Sequence, residues 1–328
     1  MAARIDTRWD RVGLVNVLLS PLSGLYTLGW LGYLAMYQLG LKRAQQPHRP
    51  IVCVGNLVAG GIGKSPLTLW IARELLARGR SVVLGANGYG SPRQQGASLA
   101  PDGPLDPAEW GDEPAMMRWL MPEVPLVVGK KRVDAAALVA QNYPNAVLLM
   151  DDGVQHLPLA RDINLVLDAA PANRLTFPAG PYREPRSVGL RRAHRLLVPG
   201  VDLLPPRLTL ITPDRQPWTA AGPVNALCAI GNPERFWQSL RALGLELKST
   251  VAWPDHDPLV SPMTLAHLDP AVPLVVTAKD YVKLARRPDL GDRTVVIAQM
   301  EAVPADPDGL MTWLMQELER VDRQTTSR

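Results

Sequence analysis

Hydrophobic positions change their period several times along the 328 residues. Residues 51–54, "IVCV", are a short apolar run with β-branched members, the pattern of a buried strand. After Pro66 the pattern turns helical: Leu67, Ile71, Leu75 and Leu76 recur at helical spacing, and Gly79 marks the stop. A second apolar run, "SVVLG", follows, and strands and helices alternate to about Leu210, as in a parallel α/β sheet. The proline-rich "VPGVDLLPPRLTLITP" reads as a connector. Beyond it, "GPVNALCAIGNPERFWQSLRALG" reads as a strand and a helix, and "PLVVTAKDYVKL" as a second strand. The pattern predicts an α/β domain over 46–210 and a smaller α/β domain over 211–328. The closing "DRQTTSR" reads as disordered.

Residues 1–45 follow another rule. Residues 12–41 contain no Asp, Glu, Lys or Arg; Arg4, Arg8 and Arg11 precede them, and Lys42, Arg43 and Arg49 follow. Tyr26, Trp30, Tyr33 and Tyr37 fall on one predicted helix face, and aromatic rings beside basic flanks suit lipid headgroups. Residues 22–41 match the roughly 20 residues that a span needs. Against a span stand Pro21, four glycines and the polar Asn16, Ser20, Ser23, Thr27 and Gln38. The favoured reading is an interfacial helix or helical hairpin, peripheral or monotopic, ahead of a span or an ordinary buried helix.

Composition narrows the partners. Cys53 and Cys228 lie in separate apolar runs and predict buried free thiols in a reducing compartment. No ligand cluster offers a zinc site. A net charge of +4 suits an anionic partner or a membrane surface, but is too small to imply nucleic acid. No obligate protein partner is evident.

The chemistry starts at the first strand-to-helix junction, "GNLVAGGIGKSP". In the phosphate-loop pattern G-x-x-x-x-G-K-[ST], the last three residues are Gly63, Lys64 and Ser65, and Val58 stands where the opening glycine belongs. Val58, Ala59, Gly60, Gly61, Ile62, Gly63, Lys64 and Ser65 are the candidate nucleotide-binding residues. The glycines let backbone curl around phosphates at a helix N-terminus, Lys64 would reach the β- and γ-phosphates, and Ser65 would hold Mg²⁺. A glycine-rich turn that binds nothing is the plain alternative. The loop also resembles that of partitioning ATPases, but Ala59 stands where their signature lysine belongs. A second apolar strand ends in carboxylates, "AVLLMDDGVQH", which nominates Asp151, with Asp152 second, as hard-oxygen ligands for magnesium on ATP.

Together with these, "GDEPAMM", "DDGVQHLPLARD", "PAGPYREP", "AIGNPERFWQSLRALG", "WPDHDP" and "TAKDYVKL" occur in the order found in tetraacyldisaccharide 4′-kinases, which the chain resembles over most of its length. That family's loop has the form G-N-x-x-x-G-G-x-G-K-[TS]-P, so Val58 is a family feature. The resemblance implies a P-loop kinase-like α/β domain and a second α/β domain, with the active site in the cleft between them. It implies transfer of the ATP γ-phosphate to the 4′-hydroxyl of a tetraacylated disaccharide 1-phosphate, with Mg²⁺, on the cytoplasmic face of the bacterial inner membrane. The product would be lipid IVA, in lipid A biosynthesis.

By motif, Asp112 resembles the base that accepts the hydroxyl proton and His256 its partner, while Glu113, Gln155, His156, Arg183 and Glu184 match positions near the site. Without the resemblance, Asp112 reads as a helix cap and His256 as a surface histidine.

Four positions depart from the family pattern. Ala86-Asn87 replaces Ser-Arg, leaving Arg93 or Arg132 to replace the arginine. Ala278 replaces a glutamate, and Asp257 stands where a second histidine is common. The expectation remains an active kinase, ahead of a membrane-recruited P-loop ATPase switch or a catalytically dead binding protein.

Overall fold

The computed structural model describes residues 12–219 and 221–326, so Arg4, Arg8 and Arg11 lie outside the described residues. After the apolar helix α1 (Leu14–Gln38) come β1 (Ile51–Asn56), α2 (Lys64–Ala77), β2 (Val82–Ala86), β3 (Ser98–Leu99) and α3 (Pro107–Trp110). Next are α4 (Asp112–Leu120), β4 (Leu126–Val128), α5 (Arg132–Asn142), β5 (Val147–Asp151), β6 (Ile163–Leu167), α6 (Arg186–Leu190) and β7 (Arg195–Leu197). Seven strands form one sheet in the order β3-β4-β2-β5-β1-β6-β7, parallel except for β3. Strands β1, β2, β5 and β6 are buried along their whole length, which is why they read as unbroken apolar runs rather than alternating ones. Strand β1 lies between β5 and β6, with Val54 opposite Asp151. The glycine loop and the acid pair therefore leave the sheet at the same carboxyl edge, where open α/β sheets bind ligands.

The second sheet contains β8 (Leu203–Ile211), β9 (Val224–Cys228), β10 (Leu247–Ala252), β11 (Leu274–Thr277) and β12 (Val295–Pro304), in the order β10-β9-β11-β12-β8. Helices α7 (Pro233–Ala242), α8 (Met263–Ala266) and α9 (Ala278–Leu284) connect these strands, and α10 (Pro307–Thr326) closes the chain.

The supposed proline-rich connector is strand β8, antiparallel to β12. Pro205 and Pro206 are tolerated because β8 is an edge strand. The expected boundary near residue 210 thus falls inside β8. Helix α10 also returns to the first core, where Leu310, Met311, Leu314 and Leu318 join Leu67, Ile71 and Leu75. Its end is helical to Thr326, with Asp322 paired to Arg80, in contrast to the disorder expected of "DRQTTSR".

Helix α1 is one continuous helix, not a hairpin, and it contains Pro21. Proline cannot donate to the Val17 carbonyl, which instead accepts the Ser20 hydroxyl at 2.7 Å. Three of the polar residues that weighed against a span, Asn16, Ser23 and Thr27, dock α1 on the first domain. Asn16 and Ser23 are buried: Asn16 donates to the Ala179 carbonyl at 2.8 Å and Ser23 to the Thr176 carbonyl at 2.7 Å. The Thr27 and Thr176 hydroxyls meet at 2.8 Å.

The aromatic face is half-exposed and is tied to the first domain at two points. Tyr26 donates to the Arg183 carbonyl at 2.6 Å, and Trp30 lies under Arg192. Phenol and hydroxyl groups find fixed partners on that side, so the apolar side is left exposed: Leu14, Leu18, Leu22, Leu25 and Leu28 on α1, with Phe177 nearby. The helix is long and apolar enough to cross a membrane.

Candidate active site

The missing loop glycine has a packing explanation. Val58 is fully buried beside Leu57 and Tyr182 and forms an antiparallel bridge with Tyr182, so the position needs a side chain. The curl begins later, at Gly60 and Gly63, whose φ values of 103° and 91° favour glycine. Gly63 is the N-cap of α2, so the loop runs directly into that helix. Asn56, which the sequence reading left without a role, shapes the loop. Its amide donates to the Val58 carbonyl at 2.6 Å, and its Oδ1 accepts from Lys64 Nζ at 3.2 Å.

At the edge of β5, the Ser65 hydroxyl donates to Asp151 Oδ2 at 2.5 Å and the Thr68 hydroxyl to Oδ1 at 3.2 Å. Burial pushes the Asp151 carboxyl up to about 6, with the nearby Glu113 charge adding to the rise and the Ser65 hydrogen bond opposing it. This buried carboxylate with a serine hydroxyl on it is a hard-oxygen pair that fits a divalent cation. Asp152 faces elsewhere: it pairs with Arg183 at 2.8 Å and Lys64 at 3.5 Å. Burial opposes its charge, but Lys64 and Arg183 outweigh burial and hold the carboxyl below its ordinary range.

Arg132 is buried behind the acids and donates to the carbonyls of Asp151 at 3.0 Å and Asp152 at 2.6 Å. Arg93, the other candidate replacement for the family arginine, pairs with Glu109 and stacks on Trp110. Gln155 and Glu184 form a brace behind the loop. Gln155 donates to the Asn56 carbonyl at 3.0 Å and to Glu184 at 2.9 Å, and buried Glu184 pairs with Arg192. His156 is half-buried; burial first, then Arg132 and Arg161, lower its pKa to about 4, so it is neutral at ordinary pH.

Asp112 begins α4 directly after Gly111, which has φ 90° and packs against Gly88; a Cβ at Gly111 would lie 3.3 Å from the Gly88 Cα. Met116, Trp119 and Leu120 follow Asp112 on one helix stripe and pack on Ile211, Ala278, Ile297 and Tyr281 of the second domain. That apolar joint delivers Asp112 to α9 and explains the small, buried Ala278. Asp112 Oδ2 lies 3.2 Å from His256 Nδ1, 3.4 Å from Lys283 Nζ and 3.6 Å from Lys279 Nζ. Lys279 also reaches Glu113 Oε1 at 3.5 Å.

The two lysines went unrecognised because "PLVVTAKDYVKL" was read as a strand. The strand stops at Thr277, whose hydroxyl accepts from Asp280 N at 3.1 Å and starts a helix, and the i,i+4 spacing then puts both lysines on one face. Asp257 serves the turn: its carboxylate accepts from Leu259 N at 2.8 Å, and its carbonyl accepts from Lys283.

The family model of tetraacyldisaccharide-1-P 4′-kinases matches residues 15–319. The chain belongs to the tetraacyldisaccharide-1-P 4′-kinase family. It is similar to the tetraacyldisaccharide 4′-kinases of Verminephrobacter eiseniae (37% identity, 84% of this chain and 67% of that one) and Aromatoleum aromaticum (35%; 87% and 90%). The same holds for the Geobacter metallireducens kinase (34%; 91% and 97%). Among solved structures, an LpxK from Aquifex aeolicus in complex with ATP shares the fold, with a TM-score of 0.80 at 24% identity over 93% of this chain and 100% of that one.

Proposed function

We propose that this member of the tetraacyldisaccharide-1-P 4′-kinase family transfers the γ-phosphoryl group of ATP to the 4′-hydroxyl of tetraacyldisaccharide 1-phosphate, forming lipid IVA. The observation that carries this reading is the Asp112 carboxylate. It is held across the cleft by His256, while its neighbour Glu113 acts electrostatically on the Ser65-bound Asp151. An acceptor for a hydroxyl proton and a phosphate loop with an acid ligand are the two parts that phosphoryl transfer to an alcohol requires.

In this reading the loop amides from Gly60 to Gly63 cradle the phosphates, and Lys64, steered by Asn56 and Asp152, neutralises charge on the transferred group. Ser65 and Asp151 hold Mg²⁺, which supplies charge neutralisation on the phosphate oxygens when bound. Arg132 fixes the backbone carrying Asp151 and Asp152, Gln155 and Glu184 brace the loop, and Arg183 sets Asp152. Asp112 accepts the hydroxyl proton. The second domain supplies His256 and both lysines, so its closure on the first completes the site. The exposed leucine face of α1 with Phe177 enters the cytoplasmic leaflet of the inner membrane, where ATP and the lipid acceptor meet.

The test is acceptor-dependent phosphorylation. ATP should be consumed only with the lipid disaccharide present, and steady ATP hydrolysis without it would favour a P-loop switch.

A further inference from the structure

We propose that Lys279 is a positioning residue that fixes the tautomer of His256, so that the histidine orients Asp112 and takes no proton from it. This rests on the reading of Asp112 as the base. Both ring nitrogens of His256 are engaged: Nδ1 lies 3.2 Å from Asp112 Oδ2 and Nε2 lies 3.4 Å from Lys279 Nζ. An ammonium can only donate, so Nε2 carries the lone pair; a carboxylate can only accept, so Nδ1 carries the proton. The Asp112 contact sets the proton on Nδ1 and the Lys279 contact sets the lone pair on Nε2, and together they define one tautomer. The ammonium is also held by charge, lying 3.6 Å from Asp112 Oδ2 and 3.5 Å from Glu113 Oε1.

The surroundings leave little room for the other state. From the loop bearing His256, Asp255 Oδ1 stays 4.0 Å from Nε2, while the Asp257 carboxylate is turned away onto Leu259 N. Lys283 faces Asp112 and Asp280, and the Tyr89 ring centroid lies 5.7 Å from that of His256. A relay from Asp112 to His256 would need Nδ1 free and a proton on Nε2, which aims an N–H at the ammonium. The balance is then simple. The sugar O–H breaks and its proton goes to the Asp112 carboxylate. The new P–O bond forms at the 4′-oxygen, and the bond from the γ-phosphorus to its bridging oxygen breaks, leaving the electron pair on ADP. The Asp112 proton leaves to solvent.

The experiment is nitrogen-15 NMR of histidine-labelled, full-length protein in detergent at pH 7.5, with His256 assigned by its loss in His256→Gln. The expected result is an N–H type shift at Nδ1 and a lone-pair type shift at Nε2. In Lys279→Met, the His256 ring shifts should move, kcat should fall roughly 10- to 100-fold with KM for ATP unchanged, and Lys279→Arg should recover most of the loss. A proton on Nε2 in the wild type, or Lys279→Met with unchanged ring shifts, would overturn the proposal. Full activity in Asp112→Asn would instead remove the base reading and leave the tautomer measurement standing.

Discussion

His256 Nδ1 and Asp112 Oδ2 meet at 3.2 Å although the two residues stand on different domains, 144 positions apart. The contact exists because the α4 stripe led by Asp112 buries Met116, Trp119 and Leu120 against the second domain. The pair should therefore behave as a unit. Asp112→Asn is expected to lower kcat by about 10²- to 10⁴-fold with ATP affinity largely kept, and His256→Ala by less. The double variant should fall well short of the product of the two losses in steady-state kinetics. Losses that simply multiply would separate the residues.

The phosphate loop yields a sharper chemical test. Lys64→Ala should remove about 3 kcal/mol of transition-state stabilisation, read as kcat/KM, while the thermal unfolding midpoint stays near wild type. Ser65→Ala should raise the Mg²⁺ concentration needed for half-maximal rate, and Ser65→Thr should leave it nearly unchanged. Near-normal turnover in Lys64→Ala would contradict the loop assignment.

How much of this was legible beforehand follows from where each signal lives. The parallel sheet, the loop and Asp151 were readable because buried strands and Gly-Lys-Ser are local patterns. The pairing of Asp112 with His256 came only through the family resemblance, since nothing near either residue points across the cleft. Lys279 and Lys283 were missed because Val275, Val276 and Thr277 masked a helix start. The contacts of Tyr26 with Arg183 and of Trp30 with Arg192 were illegible: helical spacing groups residues on a face but does not say what the face meets.

Those contacts change what the N-terminal segment should do. Tyr26 bonds the Arg183 carbonyl, and the same stretch pairs with the loop through Arg183 N to Leu57 O at 2.9 Å and Ala59 N to Pro181 O at 2.7 Å. Removing residues 1–41 should free the protein from detergent and raise KM for the lipid strongly. It should also raise KM for ATP, roughly several-fold, because about 1 kcal/mol per lost hydrogen bond is withdrawn from the segment supporting the loop. An unchanged KM for ATP would uncouple the helix from the loop.

His156 should leave a mark on stability against pH. Its folded pKa is depressed to about 4, below the ordinary 6.5. Between those values the unfolded chain binds a proton that the folded chain refuses, so the contribution is complete above pH 6.5 and is lost as pH falls toward 4. After allowance for partial exposure, the loss from pH 7.5 to 5 is about 1 kcal/mol. Thermal melts of His156→Asn should show a correspondingly flatter pH dependence than wild type. Parallel curves would remove His156 as the source.

The most direct measurement is of the product itself. Full-length protein in detergent would be incubated with tetraacyldisaccharide 1-phosphate, ATP and Mg²⁺, followed by mass spectrometry and phosphorus NMR of the lipid. The account predicts a gain of one phosphate at the 4′ position, abolished by Lys64→Ala and nearly abolished by Asp112→Asn. An unmodified lipid alongside ATP hydrolysis that proceeds equally without it would contradict the kinase reading.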